Sequence, residues 1–240
     1  MANKITRHIP NIITCCNLIS GCVATVMAIY GDLWLALLFI VIGAVFDFFD
    51  GMTARLLHIS SPIGKELDSL ADVITFGLAP SAMIFHQLAV LEYPFGSVCR
   101  CQIAVFLPFA AFLMTAFSAL RLAKFNLDER QTTSFIGLPT PANALFWGSL
   151  LLGLDRQMET VNWAPLALIA LMLLSCWLLV AELPMFALKF KNWGWKGNEV
   201  RYVFVLSCIP LLIIFKGLAF AIIIAWYVLL SVYVNATKKQ

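Results

Sequence analysis

Apolar residues run along this chain in long blocks separated by short polar stretches, and the block lengths set the architecture. A helix needs about 20 apolar residues to cross the hydrocarbon of a bilayer. Stretches near 11–30, 33–57, 66–90, 101–123, 139–154, 164–187, 200–215 and 217–235 predict eight such helices. No polar segment is long enough for a separate domain, no repeat period is visible, and the first residues carry no cleavable-signal pattern. The expectation is a single all-α integral membrane domain over residues 1–240, a polytopic bundle of about eight transmembrane helices.

Composition strengthens this expectation. The chain is 62% hydrophobic and only 12% charged, whereas a soluble domain carries about 25% charged residues. Alternating the loops from a cytoplasmic N-terminus leaves only Arg100, Arg156 and Lys216 outside, and puts the other thirteen of 16 Lys and Arg inside. That bias predicts a multi-pass protein of the cytoplasmic membrane with both termini on the cytoplasmic side. The net charge of +3 then reflects orientation and contact with anionic membrane lipids, not nucleic-acid binding. Seven cysteines lie mostly within apolar spans and without metal-ligand spacing, which suits small packing residues. Cys99 and Cys101 are separated by one residue, a poor geometry for a disulfide.

One stretch departs from the apolar pattern. Residues 47–72 read DFFDGMTARLLHISSPIGKELDSLAD and set Asp47, Asp50, Asp68 and Asp72 between apolar flanks. A carboxylate at membrane depth costs about 2.5–3.5 kcal/mol, so four this close call for a cation or a function. Asp47 and Asp50 are three apart on one helix, and Asp68 and Asp72 four apart on the next, so each pair projects from one helical face. Ser60, Ser61 and Pro62 turn the chain between them, predicting two helices packed as antiparallel neighbours. Gly51, Ala54 and Gly64 leave room for a close approach, and Arg55 stands two turns after Asp47. Hard oxygen donors favour Mg²⁺ or Mn²⁺ over zinc, and an arginine beside them suits a phosphate. The pattern points to a metal-dependent phosphoryl site at a membrane surface, which places it at the cytoplasmic ends of the second and third helices.

These residues also carry a resemblance. Asp47, Asp50, Gly51, Ala54, Arg55, Gly64, Asp68 and Asp72 meet the pattern D-x2-D-G-x2-A-R-x8-G-x3-D-x3-D without departure, and so the chain resembles the CDP-alcohol phosphotransferase family. The resemblance implies six core helices, leaving two extra C-terminal helices over about 199–236. It implies two ions, Mg²⁺ or Mn²⁺, on Asp47, Asp50, Asp68 and Asp72, with Asp72 also acting as general base. The opening PNIITCCN is similar to the P-N-x-x-T-x-x-N entry of one branch of the family. On that likeness Asn11, Thr14 and Asn17 border the nucleotide of CDP-diacylglycerol together with Gly51, Ala54, Arg55, Ser61 and Gly64. A homodimer is the assembly the family suggests.

Three further stretches, DSLADVITFGLAP, ALRLAKFN and FIGLPTPANA, resemble the branch whose acceptor alcohol is L-serine. The implied reaction moves the phosphatidyl group from CDP-diacylglycerol to the serine hydroxyl, and the implied serine contacts are Arg121, Lys124 and Asn126. Another acceptor, such as glycerol 3-phosphate or inositol, or an archaeal-type lipid donor, is the alternative within the family. Outside it stand an ion or proton transporter using the aspartates as a relay, and a membrane scaffold without turnover. A relay favours carboxylates strung across the bilayer depth, whereas these cluster at one edge beside an arginine. His58 and His86 lack ligand spacing and read as structural, Glu182 beside Pro184 reads as a capped or hydrated carboxylate and not a catalytic one, and the basic opening MANKITRHIP reads equally as an interfacial helix or a solvated tail.

Overall fold

The computed structural model describes residues 8–58, 61–94, 103–128, 135–185, 194 and 198–238. The opening with Ile5, Ser60 of the expected turn, the Cys99 and Cys101 pair, and the loop cations Lys4, Arg7, Arg100, Arg130, Lys189, Lys191, Lys196 and Lys239 lie outside the described residues.

Pro10 opens α1 (Ile9–Ile29) in the first helical turn, where its missing N–H is not needed. Gly31, at φ +84°, then reverses the chain, and the carboxylate of Asp32 accepts the Leu35 N–H at 2.9 Å to start α2 (Leu33–Leu56). Ser61 caps α3 (Pro62–Asp72) by accepting the Gly64 N–H at 2.9 Å. The same rod continues through a π-helical turn (Val73–Leu78) into α4 (Ala79–Val90). A short α5 (Ile103–Phe106) leads by a 3₁₀ segment (Leu107–Phe112), which holds Pro108, into α6 (Leu113–Leu127). Then come α7 (Thr140–Glu159), α8 (Ala164–Val180), α9 (Glu199–Phe215) and α10 (Ala219–Lys238). Two two-residue strands, β1 (Phe135–Ile136) and β2 (Pro184–Met185), pair antiparallel and tie the entry of α7 to the exit of α8.

The all-α membrane bundle is as expected, and the count of eight spans is not confirmed. Among the described residues, five helical runs are long and apolar enough to cross a membrane: Ile9–Ile29, Leu33–Leu56, Pro62–Val90, Leu107–Leu127 and Glu199–Thr237. The last run joins two of the predicted stretches, with a break at Lys216, where φ is +43°. Expected over 139–154, α7 runs on to Glu159 and takes in Asp155, Arg156 and Glu159; α8 has 17 residues. Large apolar side chains such as Ile19, Val45, Leu173 and Ile213 face outward, as lipid contact requires, since hydrocarbon gives no reason to hide them.

One local expectation is corrected. The helices carrying the aspartate pairs are not packed as neighbours: α2 and α3 barely meet, and both lean on α1.

Small residues let α1 sit so close. A side chain at Gly43 of α2 would begin 2.5 Å from Thr75 Cγ2 and 2.9 Å from Asn17 Oδ1, so three elements converge on a point that holds no Cβ. Thr75, in the π turn, donates its hydroxyl to the Asn17 carbonyl at 3.0 Å. Around this contact lies the core, with Phe76, Met83, Trp147 and Leu151 fully buried and the Trp147 indole N–H donating to Ser175 Oγ at 3.1 Å.

Gly43 and Gly51 therefore predict opposite outcomes. Gly43→Val should lower the melting temperature in detergent by several degrees, since overpacking costs about 1–3 kcal/mol. At Gly51 a new Cβ meets only the tip of Arg55, at 3.9 Å, so Gly51→Ala should leave the melting temperature unchanged or slightly raised. A thermal-shift series on both variants checks this.

Candidate active site

The aspartates reach one place through different elements. Asp47 and Asp50 come from the last turns of α2, and Asp68 from the middle of α3. One carboxylate oxygen of each of these three lies within 4.8 Å of those of the other two. Asp72, at the end of α3, stands outside that set and is buried. A line of polar groups on α1 binds the arrangement. Thr14 donates to Asp50 Oδ2 at 2.6 Å, and the Asn17 amide donates to Asp72 Oδ1 at 3.3 Å. One helix face thus holds a carboxylate from each of the two aspartate helices, which explains why α1 and not α2 is the neighbour of α3.

Asp50 and Asp72 are buried, and Asp68 Oδ1 is buried without a hydrogen-bond partner among the described residues. Charges this close in a low-dielectric setting repel strongly. An oxygen-only donor set with an unpartnered buried oxygen fits a hard divalent cation, for which carboxylates are the usual protein ligands. Neither histidine nor cysteine joins the group.

A cavity of about 300 Å³ opens beside the trio. Six of the eight residues expected at the nucleotide line it: Asn11, Thr14, Gly51, Ala54, Ser61 and Gly64. The other two stand differently. Asn17 faces Asp72, and Arg55 is exposed, with its Nε donating to the Gly51 carbonyl at 2.9 Å. Lys65 lines the cavity as well. Sequence reading used it only for orientation, although its place directly after Gly64 of the signature was the available signal.

The three residues expected at serine separate. Arg121 and Lys124, on α6, line a second cavity of about 400 Å³. Asn126 instead ties α6 to α3: its amide donates to Ser69 Oγ at 2.7 Å and its carbonyl accepts from Lys65 Nζ at 3.0 Å. Arg121 is the informative one. Its guanidinium is buried, stacks 5.8 Å from the Phe125 ring centroid, leaves Nε without an acceptor, and interacts electrostatically with Asp72. Thr140 and Asn143, on α7, also keep a buried unpartnered oxygen each. They fall in the FIGLPTPANA stretch, and only the fold shows that they are buried.

The sequence profile described as CDP-alcohol phosphatidyltransferase matches residues 7–195. The chain is 41% identical over 136 residues to the CDP-diacylglycerol–serine O-phosphatidyltransferase of Bacillus subtilis (strain 168), covering 56% of this chain and 70% of that protein. For the protein of the same name from Helicobacter pylori (strain ATCC 700392 / 26695) the identity is 35% over 138 residues, or 57% of this chain and 54% of the relative. A third, from Methanocaldococcus jannaschii, is 30% identical over 169 residues, 70% of this chain and 71% of its own length.

If the trio holds a divalent cation, that cation stabilises the folded protein by mass action. Mn²⁺ or Mg²⁺ at a hundredfold excess over its Kd should raise the melting temperature by about 5 °C or more. Asp68→Asn should flatten the response. Thermal unfolding with and without the ions, read by intrinsic fluorescence, checks this independently of turnover.

Proposed function

The chain belongs to the CDP-alcohol phosphatidyltransferase family, and from that premise we propose that it transfers the phosphatidyl group of CDP-diacylglycerol to the hydroxyl of L-serine, giving phosphatidylserine and CMP. The observation that carries this reading is a pair of cavities, each lined by charged groups that interact electrostatically with Asp72. The carboxylate trio and the small residues of the signature border one cavity. Arg121, in the electrostatic field of Asp72, opens the other.

Asp47, Asp50 and Asp68 would hold Mg²⁺ or Mn²⁺, two ions with Asp72 shared by the second. When bound, such ions stabilise the charge that develops on the pyrophosphate. The protein's own groups do the rest. Thr14 fixes Asp50, and Asn17 fixes Asp72. Without a Cβ at Gly51 and with only a methyl at Ala54, the nucleotide can lie against α2. Asp72 takes the proton of the serine hydroxyl as its oxygen bonds to the phosphorus that bears diacylglycerol and the bond to CMP breaks. A hydroxyl needs such a base because its own pKa is far above neutral. Arg121 receives the serine carboxylate in a two-pronged charge-assisted contact that a lysine reproduces poorly.

The site lies at the membrane surface, so the acyl chains stay in the bilayer while serine arrives from water. The distribution of Lys and Arg supports a cytoplasmic face for this end of the bundle. A homodimer is the proposed assembly, on the family resemblance.

The direct test is CMP release by the purified protein from CDP-diacylglycerol with serine, glycerol 3-phosphate, inositol and water as competing acceptors. Serine should dominate, EDTA should abolish release, and Mg²⁺ or Mn²⁺ should restore it. Undiminished release after exhaustive chelation would sink the metal-dependent reading.

Asp72→Asn should lower turnover at least about a hundredfold, the low end of a lost general base. The ion-dependent thermal shift should persist in reduced form, because the trio remains intact and only the ion shared by Asp72 loses a ligand. Near-normal turnover in this variant removes Asp72 from the role of base.

A further inference from the structure

The 400 Å³ cavity has two differently charged walls. On the α6 side stand Arg121 and Lys124; on the other, just past the end of α8, stands Glu182. Glu182 was legible in the sequence only as a capped or hydrated carboxylate, and three features of the fold make more of it.

The first is how firmly its backbone is held. α8 ends with the Ala181 N–H bonded to the Trp177 carbonyl at 2.9 Å. The segment that follows is then clamped by the entry to α7. Leu138 N–H bonds to Leu178 O at 3.0 Å, Gly137 N–H bonds to Leu183 O at 2.9 Å, and Ile136 pairs with Pro184. Gly137 is required here. Its φ is +75°, and a Cβ would lie 2.7 Å from the Leu179 carbonyl oxygen. A surface carboxylate with no task needs no such clamp.

The second is that Glu182 is free. It makes no hydrogen bond or ion pair among the described residues, while Asp128 on the opposite wall has partners of its own. The third is the Arg121 guanidinium across the cavity, 7% exposed and with Nε unsatisfied. A buried guanidinium with an unsatisfied Nε on one wall and a free anion on the other make a receptor for a molecule carrying both charges.

We infer that Glu182 binds the ammonium group of the acceptor while Arg121 binds its carboxylate, so that the cavity selects a zwitterionic amino alcohol. This rests on the reading of the chain as a serine-accepting transferase and adds the residue that sets acceptor specificity. Discrimination has an attractive and a repulsive part. A phosphorylated polyol brings its negative charge towards Glu182, and a neutral polyol leaves both charged walls unpaired. Glu182 touches the acceptor but not the reacting atoms, so its loss acts on KM and spares kcat.

The test uses the full chain in detergent with CDP-diacylglycerol, following CMP release. Two serine fragments serve as competitors: 3-hydroxypropionate, which keeps the carboxylate and lacks the ammonium, and ethanolamine, which keeps the ammonium and lacks the carboxylate. Glu182→Gln should raise the serine KM about tenfold or more, as for a lost charge-assisted contact, with kcat near wild type. The Ki of ethanolamine should rise in parallel, and the Ki of 3-hydroxypropionate should stay level or fall. Glu182→Asp should restore part of the serine affinity. Arg121→Lys should give the mirror image, weakening 3-hydroxypropionate and sparing ethanolamine. An unmoved serine KM in Glu182→Gln, or an equal rise for serine and 3-hydroxypropionate, overturns the assignment while serine remains the acceptor. If the wild-type protein uses glycerol 3-phosphate or inositol and not serine, the acceptor reading itself falls and this assignment falls with it.

Discussion

Carboxylates gathered in a place with little water dominate the energetics of this protein. A charge at membrane depth costs about 2.5–3.5 kcal/mol, and neighbouring like charges raise the cost because their repulsion is poorly screened there. The chain meets this with α1, whose Thr14 and Asn17 give hydrogen bonds to Asp50 and Asp72. Two hydrogen bonds do not neutralise four acids. What remains, above all the unpartnered Asp68 Oδ1, is the need that the proposed divalent cation would meet.

Placing α1 there imposes its own requirements. In lipid, helices gain little from hiding apolar surface and must instead approach closely. Gly43 removes the side chain where α2 would otherwise strike Thr75 and Asn17. The π turn at Val73–Leu78 then moves Thr75 to the position from which it holds the Asn17 carbonyl. Glycine, threonine and asparagine, none of them acidic, are therefore as necessary to the carboxylate geometry as the aspartates. A π turn beside a chemical site is a recurring device, since it re-aims side chains without ending the helix.

The same end of the bundle divides its labour between two cavities. One is walled by small residues and acids, which suits a pyrophosphate brought with cations. The other combines Arg121, Lys124 and Glu182, which suits a small charged acceptor. Lys65, Ser69 and Asn126 tie α3 to α6 at this end, so a shift of one helix is felt in both cavities. Arg121 belongs to the second cavity and feels the charge of Asp72, which couples the proposed base electrostatically to the proposed acceptor site.

How far the sequence reached can be judged residue by residue. Apolar block length and the low charge content determined an all-α membrane bundle, because a bilayer admits few other ways to satisfy a backbone. The spacing of Asp47, Asp50, Asp68 and Asp72 determined the chemistry, because helical periodicity puts residues three or four apart on one face. Of the residues expected at the nucleotide, Gly51, Ala54, Ser61 and Gly64 were legible from their place in the signature and Asn11 and Thr14 from the likeness of the opening, and these six line the cavity beside the trio. Which helix lies between the two pairs was not legible, since interhelical contact depends on side-chain volumes meeting in space, and Gly43 declares its role only opposite Thr75 and Asn17. Nor was the phase change after Asp72, because a π turn has no periodic signature in a run that is apolar throughout. Glu182 and Arg121 lie 61 residues apart, on segments that share no pattern. The packing of α6 on α8, together with the clamp between the α7 entry and the α8 exit, brings them to one cavity, because opposed charges can act on a single ligand only when the fold has fixed the distance between them.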